Sequence, residues 1–367
     1  EVEPQVWSQM TDKFFAAHRA GSAPDVMWVH LSRLPGAVEM ETLSNLNELF
    51  INGWSDEDRA DLDDAAWRYT STDTARYHIF HSRSYTGVLY RLDLLDQAGL
   101  TPADLASWEG FIPAVAGLME RDGNSVSRWG FGQSFANGQN VPPLVMNFIL
   151  EEHGDLFDSE GRAQWSNEAG AAGLRMQTDL IAKHGVSPDA ALSWNVEDVF
   201  DQFGSGRMAT MRGSSVRVPR MQGLLGSDKV GFMPAPGTKG DFTPGLIQGW
   251  AVGVWSKSQR QELAASFVEH MSSRRSDEIW ALEAGAVPVR KSTIANNPDF
   301  FARPDKKYLA EAGVAMAQHG WLVPEVDVSG WEDDLLRASQ EVVSRGTDPL
   351  DALSRVEREF NRRHRRA

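Results

Sequence analysis

Short apolar runs alternate with amphipathic helical segments along the chain, and this alternation most limits what the chain can fold into. Apolar residues in 7–18 recur at helical spacing, and a continuous Val-Met-Trp-Val run follows at 26–29. The same order returns later, where residues 251–255 alternate like a strand and residues 263–271 carry a helical apolar stripe. Strands that alternate with helices are typical of an α/β fold with a parallel sheet. We therefore expect an α/β fold whose parallel strands are buried on both faces.

Local signals predict where several of these helices begin and end. Gly21 follows the first helical segment and predicts its end, because glycine readily adopts the left-handed conformation of a helix cap. Asp348 and Pro349 predict an N-cap and first helical residue for the last helix. The basic cluster 362–366 closes the chain, and we expect it to be a solvated helix end whose cations suit the helix dipole.

Length, composition and charge limit the class of protein. The chain has 367 residues, more than one hydrophobic core usually supports, so we expect two domains. Its hydrophobic and charged fractions of 41% and 24% are typical of a globular protein. No apolar run approaches the roughly 20 residues that a membrane-spanning helix needs. The net charge of -15 argues against a nucleic-acid partner, because phosphate binding depends on lysine and arginine.

The motifs of common catalytic and metal sites are missing from the sequence. The chain contains no cysteine, which excludes disulfides, thiolate zinc sites and cysteine nucleophiles. It also lacks the motifs of zinc proteases, serine hydrolases, phosphate-binding loops and dinucleotide-binding folds. Acidic residues gather at 151–160, but residues 157–161 predict a hairpin turn rather than a calcium loop, because their spacing fails the EF-hand pattern. We therefore predict no cofactor, no metal site and no catalytic residue.

Residues 85–111 combine four signals in a characteristic order. A short apolar strand at 88–90 runs into a turn that contains Asp93, an Ala-Gly-Leu helix stop, and a helix that opens with Trp108-Glu109. This order resembles the first crossover between the lobes of extracellular solute-binding proteins of ABC transporters, in the sugar-binding, maltose-binding-protein-like family 1. Arg91 and Leu92 stand where that family usually has Asn-Lys, and residues 104–107 replace its Pro-x-Thr approach to the tryptophan.

Further segments resemble the same family, in the family's own order. They include the Gly-Ser-Ala-Pro-Asp-Val turn, a Phe-rich helix with its following strand, a second crossover, a Gly-x-x-Pro-x-Arg segment and a C-terminal Trp-Glu segment. These segments lie at 21–26, 200–215, 249–258, 285–290 and 331–336. Ordered matches over most of the chain are more specific than any single motif, and the chain is identified as a member of this family.

The resemblance implies a two-lobe periplasmic-binding-protein fold with three inter-lobe crossovers and a ligand cleft between the lobes. It assigns residues 1–87 and 243–288 to the N-terminal lobe, and residues 88–242 and 289–367 to the C-terminal lobe. The family normally opens with a strand, a small polar loop and a helix before the segment that matches Glu1 to Pro4. We therefore expect the first strand-helix unit of the N-terminal lobe to be missing from this sequence.

Candidate ligand-binding residues are chosen where strands end and crossovers begin, because ligands of open α/β sheets bind there. A sugar site needs aromatic faces for the rings and polar tips for the hydroxyls. The candidates are Trp28, His30, Arg33, Arg83, Tyr85, Gln133, Phe135, Asn137, Ser214, Gln248, Gly249, Trp250, Arg290 and Trp331.

Some of these candidates have a specific expectation or an alternative. The Gln248–Trp250 segment is the strongest, because a glycine beside an aromatic ring lets a ligand approach the backbone. Arg290 binds the ligand or pairs with a carboxylate across the hinge. His30 and Trp250 have structural alternatives, as a hydrogen-bonded loop residue and as the start of a strand. Ser214 lies where the family places a Gly-aromatic ligand contact, so we expect weaker stacking there.

The resemblance implies the substrate-binding subunit of an ABC importer, which binds a sugar or oligosaccharide by hinge closure and performs no catalysis. Its partners would be the ligand and the permease subunits, and the protein would be an exported monomer, periplasmic or associated with the cell surface. Two alternatives stay open. The first is a carbohydrate-active hydrolase or lyase, because paired carboxylates meet only in the folded chain. The second is a binder of a non-sugar solute such as glycerol phosphate or a polyamine.

Overall fold

A computed structural model of the protein describes residues 7–123, 125–136, 143–240 and 242–364. Its strands are β1 (Val26–His30), β2 (Ile79–Arg91), β3 (Glu120–Asp122), β4 (Ser125–Gly132), β5 (Met208–Ser214), β6 (Val230–Met233), β7 (Gly245–Val254) and β8 (Gly320–Trp321). Its α-helices are α1 (Trp7–Ala20), α2 (Leu34–Glu39), α3 (Leu46–Leu49), α4 (Asp56–Ala60), α5 (Asp64–Arg68), α6 (Leu92–Ala98), α7 (Trp108–Gly117), α8 (Val145–His153), α9 (Glu168–Ala182), α10 (Val196–Gly204), α11 (Val218–Leu225), α12 (Gln261–Met271), α13 (Arg274–Leu282), α14 (Lys291–Asn296), α15 (Pro298–Phe301), α16 (Lys307–His319), α17 (Trp331–Arg345) and α18 (Pro349–Arg363). Within the described ranges, none of these helices combines the length and the apolarity that crossing a bilayer requires.

The chain divides into two compact units. The first unit comprises Glu1–Ser84, Gln248–Phe301 and Val323–Ser329, and the second comprises Tyr85–Ile247, Ala302–Leu322 and Gly330–Ala367. Strands β2 and β7 therefore each contribute residues to both units. Residues 289–301, which the sequence analysis assigned to the C-terminal lobe, group with the first unit. The division into ligand-binding lobes stays a prediction.

The sheet of the first unit contains β1, the later part of β7 and the early part of β2, with β7 in the middle. Strand β1 runs antiparallel to β7, from Val26 opposite Val254 to His30 opposite Trp250. Helix α12 covers this sheet, and its Val268 packs with Ile79 and strand residues from β7 in one apolar cluster. Burying that face of α12 stabilises the first unit, because each fully buried aliphatic side chain contributes about 1.5–3 kcal/mol.

The sheet of the second unit is built around the later part of β2, which pairs antiparallel with both β5 and β6. Strand β5 then pairs parallel with β4, and β4 pairs antiparallel with β3. The main core of this unit gathers Trp108 and Phe111 of α7 against Phe131 of β4. The indole and phenyl rings of α7 meet edge to face with centroids 5.4 Å apart, an arrangement that the ring quadrupoles favour.

The predicted parallel sheet is wrong for most strand pairs. Among the pairs given for the described strands, only β4–β5 and β7–β8 are parallel, while β1–β7, β2–β5, β2–β6 and β3–β4 are antiparallel. A strand that is covered on both faces is apolar whichever way it runs. The pattern of apolar residues therefore carried no information on strand direction.

The α/β class and the local boundaries are confirmed. Helix α1 ends at Ala20, and Gly21 adopts a positive φ of 71°; Gly99 ends α6 in the same way at 67°. Ser107, which replaces the family's threonine, caps α7 by accepting a hydrogen bond from the Gly110 N–H. Asp348 caps α18 through the N–H groups of the first helical turn. Caps of this kind act over two or three residues, which is why the sequence predicts them well.

Strand β2 is longer than the predicted strand at 88–90, since it begins at Ile79. The early part carries polar residues such as His81, Ser82 and Arg83, which hid the strand in the sequence. These three residues are buried or half-buried in the folded chain. Tertiary partners for polar side chains therefore extended the strand beyond its apolar run.

Candidate functional site

In the first unit, Trp28, His30 and Trp250 lie on one face of the sheet. His30 is the register partner of Trp250, and Trp28 is the register partner of Val252, so their side chains point the same way. The His30 imidazole meets the Trp250 indole edge to face, with ring centroids 5.1 Å apart. Trp250 is half-buried, so its ring offers a partly accessible aromatic surface beside a buried imidazole.

His30 is a neutral, hydrogen-bonded residue of this face. Its Nδ1 atom lies 2.9 Å from the Ser32 hydroxyl and accepts a weaker hydrogen bond from the Ser32 N–H at 3.4 Å. Burial, helped by the charge of nearby Arg33, lowers the pKa of His30 from 6.5 to about 4. The imidazole is therefore uncharged at neutral pH and can exchange hydrogen bonds with a neutral partner. Arg33 itself is half-buried.

Trp28 packs within the first unit next to a histidine that the sequence analysis missed. The Trp28 ring lies 5.7 Å from His81 and 6.5 Å from Phe267, and His81 lies 4.3 Å from Trp280. Burial lowers the pKa of His81 to about 4. The Trp28 Nε1 and His81 Nδ1 atoms are buried and hydrogen-bond to no described residue. The His-Ser-Arg order before Tyr85 is the only signal that marks His81.

The two arginine candidates of this unit are held by protein groups. Arg83 donates to the Pro288 carbonyl at 2.6 Å and forms an ion pair with Asp63 at 2.8 Å. Arg290 is 3% exposed; it pairs with Asp61 at 3.1 Å and donates to the Ser272 carbonyl. Arg290 therefore pairs with a carboxylate, but both partners lie inside the first unit and not on either side of a hinge. Their ligand-binding roles stay predictions.

Gly249 is required by a close approach of backbone within the first unit. A Cβ atom built on Gly249 would overlap with the carbonyl oxygen of Ser82 in the neighbouring strand β2. The glycine therefore lets two strands meet, and its role in ligand approach stays a prediction. Gln248 is buried, with 3% of its surface exposed.

In the second unit, three candidates are fully buried aromatic residues. The Tyr85 hydroxyl donates to the Thr243 carbonyl at 3.4 Å, and burial raises its pKa well above 10. Phe135 belongs to a small apolar cluster with Ile181 and Leu336. The Trp331 ring packs edge to face on Phe157 and on Trp321, with centroids 6.3 and 5.7 Å apart. These three rings pack in the interior of the second unit. Asn137 lies outside the described residues.

A polar patch interrupts the apolar face of the second sheet at the end of β5. Ser214 pairs in register with Thr86 of β2, and Arg212 lies two residues before Ser214 on the same face. Gln133 follows β4 directly and is 2% exposed. Burial lowers the pKa of Arg212 to about 9. The sequence analysis missed Thr86 and Arg212, although alternate polar residues at 210, 212 and 214 are the signal that marks such a face.

The acidic turn of the second unit is closed by its own groups. The Asp158 carboxylate accepts hydrogen bonds from the N–H groups of Glu160 and Arg162, both at 2.9 Å, and pairs with the Arg162 side chain. An isolated bridge joins Phe157 to Ala163, as the predicted hairpin requires. Across the described ranges, no group of three or more histidines and acidic residues is arranged to hold a metal ion.

Residues 1–307 match the family model described as bacterial extracellular solute-binding protein. The chain belongs to this family. The match covers well over half of the 367 residues, and it confirms the resemblance that the ordered motifs predicted.

Two curated relatives of this solute-binding protein are arabinooligosaccharide-binding proteins. The protein from Halalkalibacterium halodurans is 22% identical over 311 residues, which cover 82% of this chain and 66% of the relative. The protein from Bacillus subtilis is 22% identical over 295 residues, which cover 77% of this chain and 64% of the relative. The chain therefore spans about two thirds of the length of the curated relatives it matches.

Solved structures share the fold of this solute-binding protein. An ABC transporter solute-binding protein from Thermotoga lettingae bound with alpha-D-tagatose matches with a TM-score of 0.83, 21% identity and coverage of 98% of this chain and 90% of that one. A substrate-binding protein from Listeria monocytogenes in complex with cycloalternan matches with a TM-score of 0.84, 20% identity and coverage of 99% and 90%. Maltose-bound MalE3 of T. maritima has a TM-score of 0.81 at 20% identity, with coverage of 98% and 90%. The predicted periplasmic-binding-protein fold is confirmed.

Proposed function

We propose that this protein is the substrate-binding subunit of an ABC importer and that it binds a sugar or oligosaccharide. The observation that carries the proposal is the family match over residues 1–307. The curated relatives, whose names state that they bind arabinooligosaccharides, support a sugar over other solutes.

The chemistry of the candidate residues supports the same ligand class. Sugar rings present apolar faces that stack on indole, and their hydroxyls exchange hydrogen bonds with neutral polar groups. The half-buried Trp250 ring, next to neutral His30, supplies an indole on which a sugar ring could stack. Ser214 and Thr86 in the second unit supply hydroxyls on a shared sheet face.

In this proposal the protein binds and releases its ligand without chemistry. Ligand would stabilise the lobe arrangement for which it has the higher affinity, and permease subunits would recognise that arrangement. The hinge closure itself stays a prediction. The family is one of extracellular proteins, and we propose that this member is exported to the periplasm or cell surface and acts as a monomer.

A thermal unfolding screen over sugars, polyamines and glycerol phosphate tests the proposal. A ligand at 100 times its dissociation constant stabilises the folded state by about 2.7 kcal/mol, which raises Tm by several degrees. We expect a shift with a sugar or oligosaccharide. A shift only with polyamine or glycerol phosphate would contradict the sugar assignment, and new reducing ends after incubation with oligosaccharides would contradict a purely binding role.

A further inference from the structure

A small cavity lies inside the first unit, next to the start of strand β2. Leu62, Ile79 and Val289 contribute apolar parts of its wall, and Arg76 and His78 contribute polar parts. The volume open to the centre of a water-sized sphere is about 10 Å³. A single water molecule needs roughly 10–15 Å³ by this measure. The cavity therefore has room for one molecule of the size of water and not for a larger solute.

His78 brings a buried hydrogen-bond acceptor to this cavity. The residue is 2% exposed, and its Nε2 atom lies 3.0 Å from the Tyr69 carbonyl oxygen and 2.6 Å from the Thr70 hydroxyl. Because a carbonyl oxygen can only accept, Nε2 carries the proton and Nδ1 carries a lone pair. Burial lowers the pKa of His78 to about 3, so the ring is neutral at pH 7. The Nδ1 atom is buried and hydrogen-bonds to no described residue.

Arg76 brings a donor to the same cavity. Its Nε and Nη2 groups donate to the Trp67 carbonyl at 3.3 and 3.0 Å, and its guanidinium carbon lies 3.4 Å from the centre of the Trp67 ring. These contacts hold the guanidinium in place and leave its Nη1 group as a further donor. Arg76 and His78 therefore place a donor and an acceptor in the wall of one cavity.

The His78 ring is held so that it cannot turn toward another protein group. Phe80 stacks on the imidazole with ring centroids 5.2 Å apart, and the Nε2 contacts with Tyr69 and Thr70 hold the opposite edge of the ring. A buried acceptor without a donor destabilises the folded state. A bound molecule that donates to Nδ1 removes this cost.

We propose that the cavity binds one water molecule, which donates a hydrogen bond to His78 Nδ1 and accepts one from the Arg76 guanidinium. Water both donates and accepts, and buried waters in proteins bridge polar groups of this kind. A chloride ion has no proton to donate to the Nδ1 lone pair. A sodium or ammonium ion would meet the Arg76 guanidinium, and like charges repel. The water is then a part of the core of the first unit.

A substitution at Val289 distinguishes a hydrated cavity from a dry one. The Val289 N–H donates to Asp277 at 2.9 Å and its carbonyl accepts from the Asp63 N–H at 2.9 Å, so the backbone is fixed here. Val289→Ile, prepared in the full chain, adds a methyl group to the cavity wall. The methyl group displaces the water and leaves Nδ1 without a donor, so we expect Tm to fall by about 2–4 °C. In a dry cavity the methyl group would fill apolar space and raise Tm.

The same substitution in a His78→Phe background is the matched control. Phenylalanine keeps an aromatic ring against Phe80 and has no acceptor that needs a donor. We therefore expect Val289→Ile to leave Tm unchanged or to raise it in this background. An equal fall of Tm in both backgrounds would show that the methyl group merely overpacks the wall, and it would overturn the inference.

A high-resolution crystal structure of the wild-type protein, soaked in sodium bromide, gives a readout that does not depend on the variants. We expect electron density for a water molecule within hydrogen-bond distance of His78 Nδ1. An anomalous bromide peak at this position, or a cavity without density, would overturn the inference. The proposed function stands in either case, because the cavity has no room for a sugar.

Discussion

The two units of the molecule differ in how they treat histidine and other polar groups. In the first unit, His30, His78 and His81 are buried, and burial lowers the pKa of each. In the second unit, His153 is exposed and His184 and His319 are half-buried. The second unit instead buries hydroxyls at 86 and 214 that hydrogen-bond to no described residue. The first unit therefore loses stability in acid, whereas the buried hydroxyls of the second unit do not titrate.

Lowering the pH should produce the largest difference in stability between the two units. The pKa values of His30, His78 and His81 are about 4, 3 and 4, below the ordinary 6.5. Because the folded state binds protons less readily, stability is full above pH 6.5 and falls as pH decreases toward 4. At pH 5 the free energy of unfolding should be lower by about 2 kcal/mol for each histidine, on the order of 6 kcal/mol for the three together.

Hydrogen exchange measured by mass spectrometry at pH 7 and pH 5 checks this prediction, after correction for the intrinsic exchange rate. We expect residues of β1 and the early part of β2 to lose protection while β4 and β5 keep theirs. His81→Phe is the control variant, since it removes one titrating group beside Trp28 and Trp280 and should reduce the pH dependence by about a third. An equal loss of amide protection in both units would contradict the prediction.

Removing one partner of the buried ion pair in the first unit should have the next largest effect. Arg290→Ala leaves the Asp61 carboxylate, whose side chain is 7% exposed, without its closest buried cation. Breaking such a pair costs about 3–5 kcal/mol, because the remaining charge is desolvated. Urea denaturation of the free protein provides the measurement.

The matched control is Arg303→Ala in the second unit. Its ion pair with Asp305 at 2.8 Å is solvent-exposed on the arginine side, so its loss should cost about 0–1 kcal/mol. An equally small effect at Arg290 would mean that Asp61 is satisfied by the neighbouring Arg274 and Ser292.

Glycine substitutions should have a smaller effect, of opposite sign in the two units. Gly249→Ala places a methyl group against the Ser82 carbonyl and should cost about 1–3 kcal/mol. Gly223 lies in α11 of the second unit with open space around its Cβ position, so Gly223→Ala should stabilise by about 0.5–1 kcal/mol. Chemical denaturation of both variants measures the difference, and a neutral Gly249→Ala would show that β2 and β7 can move apart locally.

A pair of tryptophan substitutions compares a fully buried ring of the second unit with a half-buried ring of the first unit. Trp331→Phe should cost about 1–2 kcal/mol and leave sugar affinity unchanged, because Trp331 is 0% exposed among packed rings. Trp250→Phe should leave stability within about 0.5 kcal/mol and lower sugar affinity several-fold, because its ring is half-buried. Thermal unfolding and calorimetric titration distinguish the two, and an affinity loss confined to Trp331→Phe would reverse our assignment.

Much of the local structure could be predicted from the sequence. The ends of α1 and α6 depend on Gly21 and Gly99, and the starts of α7 and α18 depend on Ser107 and Asp348. The candidate site was less predictable. The sequence could not identify Asp61 as the partner of Arg290, because the two residues are 229 positions apart and no local pattern connects them.

The sequence by itself determined the family, the α/β class and the helix boundaries, because ordered motifs, apolar periodicity and caps are read from residues close together in the chain. The tertiary structure decided the strand directions and which buried polar groups are hydrogen-bonded. It satisfied Thr210 through the Gly130 carbonyl and left Thr86 and Ser214 unpaired among the described residues. Hydrogen bonding and burial depend on neighbours brought together from distant segments, and only the folded chain defines those neighbours.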